Sequence, residues 1–459
     1  MHNYKNLALL SISLILLSAC EMGPDYKRPK INMPDLGAEK EIAEFVNNRW
    51  WNVFSDSTLN RLEEQALKYN SDLKQAIANV DIAYAAAGIA FSDLLPSVGA
   101  SVNSSESLKT NKRNKDHVAA AGASYELDFF GKYRRANEAA QANLLSSTAA
   151  KELVLLTVTA EVAKTYFQLR SLDAKLAIAK RTLKTRQETC AVYRSRFKNG
   201  YCTELDYLRV ESEMSSVKTT VLDLESSLAK IENALSVLIG SSPSEMIARK
   251  TAKDQAIEKL RIPSNVPKGI PSDILARRPD VLQAEGQLIA ANAKIGEARA
   301  AHFPSISLTG AFGFESTSLT KLFNSESDMW NFGGGISLPI FSGGKITAMN
   351  KAAEANYRKM LAGYEKSIQM AFRETLDALT SNRKTREIVI SRTRQVNSLK
   401  RGYYIAKKQK DSGLIGLLDL LDVERGLLSA EMKLVGALQK QLNAVVDLCK
   451  ALGGGWKQS

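Results

Sequence analysis

One segment of this chain is written twice. Gly200-Tyr-Cys-Thr-Glu-Leu205-Asp206-Tyr-Leu208-Arg209-Val210-Glu211 returns as Gly413-Leu-Ile-Gly-Leu-Leu418-Asp419-Leu-Leu421-Asp422-Val423-Glu424, and the same offset carries Gly240 onto Gly453. Upstream, Leu73, Ala76, Val80, Ala83 and Pro96 match Val281, Ala284, Leu288, Ala291 and Pro304 at a second constant offset. A repeat constrains architecture before any element is assigned. Each half reads helix, two strands, long helix, turn, helix.

Apolar residues step by three and four through Leu73, Ala76, Val80, Ala83, Ala87, Ala90 and Leu94, and again through Val281, Ala284, Leu288, Ala291, Ile295 and Ala298. Such seams make helices supercoil around neighbours, and the alanines permit close approach. A soluble helical bundle accounts for the seams equally well. Length argues otherwise: helical periodicity runs without proline from about Lys132 to Asn199 and from about Lys345 to Lys410, roughly 100 Å each at 1.5 Å per residue. Globular helices average about 11 to 12 residues. Something extended is built, with hairpin turns at Asn199-Gly200 and Ser412-Gly413.

Between the helices lie weak, small-residue-rich alternations at about 97–107, 119–130, 304–316 and 329–341. They fit transmembrane barrel strands of ~9–11 residues better than soluble edge hairpins. Tyr125, Phe129, Phe130, Phe303, Trp330 and Phe341 stand near their ends, where an aromatic girdle is expected. Four strands cannot close, and lipid tolerates no open edge. Oligomerisation is therefore forced; three copies make a 12-stranded barrel with room for a channel, whereas two make a side-chain-filled one of about 8 strands. Pro96 and Pro304 end the helices where the chain turns into strand.

No run of ~18 apolar residues follows the N-terminus, so strands must make any membrane passage. Residues 1–19 read as an export signal, with Lys5 basic, Leu7 to Leu17 mostly apolar and Ser18-Ala19 small. Leu17-Ser18-Ala19-Cys20 resembles a lipobox, which makes Cys20 the acyl acceptor; ordinary cleavage near Ala19 with Cys20 incidental is the competing reading. Cys190, Cys202 and Cys449 remain, an odd number that excludes a disulfide framework. Cys190 and Cys202 flank a hairpin turn at unequal depths, about 10 Å out of step, and are expected as free thiols.

The formal charge of +13 is spread among acidic residues along helical patterns, which speaks for solvated helix faces and against a nucleic-acid partner. Lys109, Lys112, Arg113 and Lys115 form the one dense basic cluster, expected in a loop that is simply solvated or touches lipid headgroups. Enzyme chemistry finds no footing. The three histidines, His2, His117 and His302, lie near no Cys or carboxylate cluster, and Gly343-Gly344-Lys345 lacks a phosphate loop's spacing. No cofactor and no metal is expected.

Gly23-Pro24-Asp25-Tyr26 after Cys20, Trp50-Trp51-Asn-Val-Phe54-Ser-Asp56, Leu94-Leu95-Pro96-Ser97, Tyr125-Glu126-Leu127-Asp128-Phe-Phe-Gly131-Lys and Pro271-Ser272-Asp273-Ile-Leu275-Ala-Arg277-Arg278-Pro279-Asp280-Val281 resemble the outer-membrane factors of the TolC and OprM type, in their lipoprotein branch. The resemblance runs from Cys20 to Trp456. Phe130 where that family often has Trp, Lys132 where Arg is common, and His302 are its departures.

The resemblance implies a membrane α+β fold: a homotrimer with a shared 12-stranded outer-membrane β-barrel, a 12-helix periplasmic α-barrel and a mixed equatorial belt. In this chain it implies a lipid anchor and arm at 20–70, a first repeat at 71–240, a connector at 241–275, a second repeat at 276–453 and a tail at 454–459. The long helices fall at 131–199 and 343–411 and the return helices at 203–240 and 415–452. The implied partners are outer-membrane lipid, a periplasmic adaptor and an inner-membrane pump of the RND type; Asn199, Gly200, Ser412 and Gly413 would meet the adaptor. Leu418, Asp419 and Asp422, with Arg425, match positions that narrow such an entrance, and Asp206 and Arg209 are their first-repeat counterparts. Three copies bring the aspartates into a ring that attracts cations, and Arg209 against Asp422 lets neighbouring hairpins latch. Solvated residues near a helix start account for the same aspartates. By function class, an efflux duct, a duct for type I protein secretion, and a structural envelope lipoprotein without a pore stand as alternatives. The strand pairs favour a duct, since a scaffold needs none.

Overall fold

The computed structural model describes residues 21–29, 49–109, 112–241, 257–260 and 278–454. The expected signal peptide, Cys20, most of the 241–275 connector, Pro271 to Arg277 and residues 455–459 lie outside the described residues. Among the described residues the order is α1 (Ser57–Tyr69), α2 (Ser71–Ser92), β1 (Ser97–Lys109), β2 (Lys112–Leu127), α3 (Lys132–Lys198), α4 (Glu204–Leu238), α5 (Pro279–Ala300), β3 (Ser305–Ser316), β4 (Asp328–Ser337), α6 (Lys345–Asp411) and α7 (Leu417–Ala451). The lengths recur in order: α2 and α5 have 22 residues each, α3 and α6 67 each, α4 and α7 35 each. No described helix is long and apolar enough to cross a membrane.

One compact unit holds the strands and the helical residues Ala78–Ala149 and Leu282–Ser367 around them, together with the N-terminal arm. Its sheet has the order β1-β2-β3-β4, antiparallel throughout, with the outer sides of β1 and β4 unpaired in the chain. Trp330, Phe332 and Ile336 share one face of β4 and are three-quarters exposed, as are Val98 and Val102 on β1. The hairpin is longer than its apolar alternation suggests, since β2 begins at Lys112 instead of about 119. Lys112, Arg113 and Lys115 are thus strand residues, not a loop, with Glu106 opposite Lys115 and Arg113 Nε 2.7 Å from Glu106 Oε1. Cross-strand charge pairs sustain a ladder without apolar alternation. At the other ends β2 stops at Leu127 and β4 at Ser337, ahead of Pro339. Of the expected girdle, Tyr125 and Trp330 lie within strands, while Phe129, Phe130, Phe303 and Phe341 lie outside them, Phe130 and Phe303 stacked with centroids 4.7 Å apart.

The arm that follows Cys20 is pinned to this unit. Met22 N donates to Phe130 O at 3.2 Å, Asn292 Nδ2 to Pro24 O at 2.7 Å, and Arg28 grips Glu285 with two nitrogens. Arg135, almost fully buried, reaches Asp25 at 2.7 Å and Glu138 at 2.6 Å. A Cβ on Gly296 would stand 2.4 Å from Met22 O, so this passage requires glycine.

The second unit holds α1, the two helical hairpins and the larger core. Asp56 caps α1 by accepting from Thr58 N at 2.8 Å and Leu59 N at 3.1 Å, and its other oxygen accepts from Tyr166 OH at 2.7 Å. Trp50, Trp51, Phe54, Leu59 and Ala66 pack against Val162, Phe167 and the C-terminal turns of α7. Arg278 closes this core, donating to Ala451 O at 3.3 Å and pairing with Asp280 and Glu374.

Glu63 sits in this unit fully buried, and among the described residues neither carboxylate oxygen has a partner. Burial pushes its pKa well above the carboxylate range. The folded state therefore holds a proton that the unfolded chain releases near pH 4. Stability is full below that pH and falls as pH rises toward the elevated value. Glu63→Gln, a fixed mimic of the protonated acid, is expected to raise the thermal midpoint at pH 8 and to leave it unchanged at pH 4; equal midpoints at pH 8 contradict this.

Candidate functional site

Both long helices reverse on glycine. Gly200 (φ +73°) and Gly413 (φ +75°) occupy the left-handed position just past α3 and α6. The same bonds close each turn: Tyr201 N to Arg196 O and Leu414 N to Gln409 O, both 2.8 Å, satisfy carbonyls the helices leave open. Asn199 Nδ2 donates to Ser195 O at 2.7 Å and Ser412 Oγ to Lys408 O at 3.0 Å, so the residues expected at the turns also finish the helices.

The return helices start on caps that employ two of the expected gate residues. Thr203 Oγ1 accepts from Asp206 N at 3.1 Å and donates to Asp206 Oδ2 at 2.8 Å; Asp419 Oδ2 accepts from Gly416 N at 3.0 Å. The repeat-related carboxylates thus sit at the same caps with different partners, the Thr203 hydroxyl for Asp206 and the Gly416 backbone N–H for Asp419. Leu418 stays half exposed, and the Asp422 side chain is 81% exposed, 3.7 Å from Arg425. Arg425 turns toward the other hairpin and pairs with Glu213 at 2.6 Å. Arg209, by contrast, makes no ion pair among the described residues; Arg209 and Asp422 are not joined within one chain.

Beneath the turns the hairpins share a small core of Cys190, Tyr193, Val210 and Leu421, with Cys202, Tyr207, Met214 and Leu417 packed on it. Cys190 and Cys202 are free thiols. The turn folds Cys202 back onto α3, its Sγ 3.5 Å from Tyr193 O, three residues on from Cys190. Burial, then Glu211, pushes the Cys190 thiol up and keeps it protonated.

A charged lock ties this core together, and sequence reasoning missed it. Arg186 of α3 is 2% exposed and its Nη1 lies 2.8 Å from Glu424 Oε2 of α7, close but not aligned as a hydrogen bond. Tyr403 of α6 faces the same carboxylate; burial and Glu424 push its phenol up to about 12. Two rungs away Glu431 takes both Arg181 at 2.7 Å and Lys400 at 3.5 Å. Glu424 is the repeat counterpart of Glu211, which among the described residues accepts from Tyr207 OH of its own helix, at 2.8 Å. The pair therefore has one local and one bridging member. Arg186 stands in a helix crowded with lysine and arginine, and nothing in its neighbours marks it as inward-facing.

Among the described residues no group of three or more His, Cys, Asp or Glu is placed to hold a metal. What this arrangement offers is mechanical and electrostatic: exposed aspartates on caps, above hairpins held by charge pairs that a small displacement separates.

The family described as Outer membrane efflux protein matches the chain over residues 62–241 and 270–454. The chain is 32% identical over 454 residues to the cation efflux system protein CusC of Escherichia coli, covering 97% of each. It is 33% identical to the probable outer membrane lipoprotein SilC of Salmonella typhimurium, covering 98% of this chain and 99% of that protein. Its fold is similar to the crystal structure of the Campylobacter jejuni CmeC outer membrane channel, with a TM-score of 0.90, 30% identity and 96% of each chain covered.

Proposed function

The chain belongs to the outer membrane efflux protein family, and from that premise we propose that three copies form the exit duct of a tripartite efflux system, anchored by a lipid on Cys20. It is an outer-membrane efflux channel. The observation that supports the trimer is the four-stranded sheet whose β1 and β4 edges are both open and whose β4 carries an exposed apolar face. In lipid those edges must pair. Joining β4 of one copy to β1 of the next, three times, closes a barrel of about 12 strands, wide enough for a channel. The internal twofold likeness of each chain makes such a trimer a pseudo-sixfold tube, with α3, α4, α6 and α7 as its wall.

Transport is passive in this part of the assembly. An inner-membrane pump selects and drives the cargo, a periplasmic adaptor meets the hairpin turns at Asn199-Gly200 and Ser412-Gly413, and the duct opens at Leu418, Asp419 and Asp422. The cation in CusC's name belongs to that protein's system; here the cargo follows from the pump.

Purified full-length protein in detergent is expected to run as a trimer that dissociates only on heating, and to conduct ions in planar bilayers. A helical monomer without conductance overturns the proposal. Cys20→Ala is expected to leave that conductance intact while releasing acyl label, which separates the anchor from the pore; retention of acyl label removes Cys20 as the acceptor.

A further inference from the structure

Some cations of the second unit's helices pair with carboxylates, as in Lys164–Asp447, Lys180–Glu225, Arg181–Glu431 and Arg186–Glu424. Others gather without them around one crevice. A crevice of about 610 Å³ is lined by residues of α3, α4, α6 and α7. Four cations stand around it, Lys175, Arg392, Lys433 and Lys440, and no carboxylate is among its lining residues. Among the described residues Lys175, Lys433 and Lys440 form no ion pair, and Arg392 Nη1 donates to the neutral Gln395 at 2.7 Å.

Such an arrangement costs free energy when empty. Lys175 is half-buried, and burial together with the facing Lys440 ammonium holds its pKa below the usual lysine range. Arg392 of α6 and Lys433 of α7 line the same crevice, to which α4 contributes Thr220 and Leu224. Like charges converging in a partly desolvated crevice create a positive potential that water relieves poorly and an anion relieves well.

The crevice is not a bare cluster of charge. Leu224 and Met432 supply apolar surface beside the cations, and methionine adapts to ligands of varied shape. The volume falls in the range of small-molecule sites, mostly apolar clefts with a few polar groups that fix orientation. We infer that this crevice is a binding site for an amphipathic organic anion, whose sulfonate, sulfate or carboxylate head sits among Lys175, Arg392, Lys433 and Lys440 and whose ring or alkyl body covers Leu224 and Met432. The site stands on the crevice alone; that its ligand is cargo passing through the wall region rests on the duct reading.

The test is calorimetric titration of the full chain in nanodiscs of zwitterionic lipid, with naphthalenesulfonate, naphthol and inorganic phosphate as probes. Naphthalenesulfonate is expected to bind at least about tenfold more tightly than either of the others. The Lys175→Gln/Lys440→Gln variant is expected to weaken that binding about tenfold without lowering the thermal midpoint, because it removes two groups that repel each other. Lys407→Gln, exposed and elsewhere on α6, is expected to change nothing. Equal binding of naphthol reduces the site to an apolar cleft, and equal binding of phosphate reduces it to a charge cluster; either overturns the inference, as does undiminished binding in the double variant. No conductance enters the measurement, so a failed duct and a failed site give different results.

Discussion

Glu424→Ala is expected to loosen the hairpin ends by roughly 3 kcal/mol, the lower end of what removing one partner of a buried pair costs. The cation left behind is the reason. Arg186 is 2% exposed, and losing Glu424 leaves its charge buried without its partner. The lower end applies because the pair is close without being well aligned. The loss is local, so hydrogen exchange reads it better than a melting curve: amides around Arg186 to Tyr193 and Leu417 to Leu428 should exchange faster, while those of the core near Trp51 and Phe167 stay protected. Tyr403 supplies a second readout. Part of its elevated pKa comes from Glu424, so the tyrosinate difference spectrum of the variant should show one phenol titrating earlier than in the wild type. Arg186→Met combined with Glu424→Leu should recover most of the stability, since a buried pair replaced as a unit leaves no orphaned charge. Unchanged exchange in Glu424→Ala, or a double variant worse than the single one, shows that the lock holds nothing.

The gross plan of this fold was legible because its determinants are local or repeated. Proline-free heptad runs announce long helices, a glycine after such a run announces its end, and Gly200 with Gly413 does this twice. The strands were legible in number but not in extent. Lys112 to Asp116 alternates no apolar residues, and what makes it strand is pairing with Ser105 to Lys109 across the hairpin, a tertiary fact with no sequence period of its own. The candidate site divides the same way. Asp206 and Asp419 were found as repeat counterparts, yet both carboxylates are engaged at the helix starts, Asp206 with the Thr203 hydroxyl and Asp419 with Gly416 N, a structural task that a motif match does not distinguish from gating. Arg186 and Tyr403 were missed because charge patterning reads an arginine in a helix rich in lysine and arginine as solvated, and only packing of α3 against α6 and α7 turns it inward. The unpaired cations of the crevice were equally invisible, since each belongs to an ordinary solvated-looking helix face and their convergence exists only between helices.

Asp419→Ala with Asp422→Ala is expected to raise single-channel conductance severalfold and to weaken cation preference. Of the two, Asp422 is the one free to act between copies: it is 81% exposed, and its neighbour Arg425 is already engaged by Glu213. Arg209, its counterpart, makes no ion pair among the described residues. In a trimer these two are complementary groups left over on neighbouring hairpins, and exposed pairs of this kind are worth no more than about 1 kcal/mol each, which suits a latch that must open. Asp419 complicates the experiment, since removing its carboxylate also removes the cap on Gly416 N, at a cost of about 1 kcal/mol. Fraying of α7 could widen the entrance without any role for charge. Asp419→Asn with Asp422→Asn separates the two causes, because asparagine keeps the accepting oxygen and loses the charge. A conductance rise in the asparagine pair equal to that in the alanine pair assigns the constriction to the carboxylates; a rise confined to alanine assigns it to the cap, and low conductance in both removes Asp419 and Asp422 from the gate. Raising ionic strength on wild-type channels tests the latch independently, since screening weakens exposed ion pairs and should increase the open fraction as the alanine pair does.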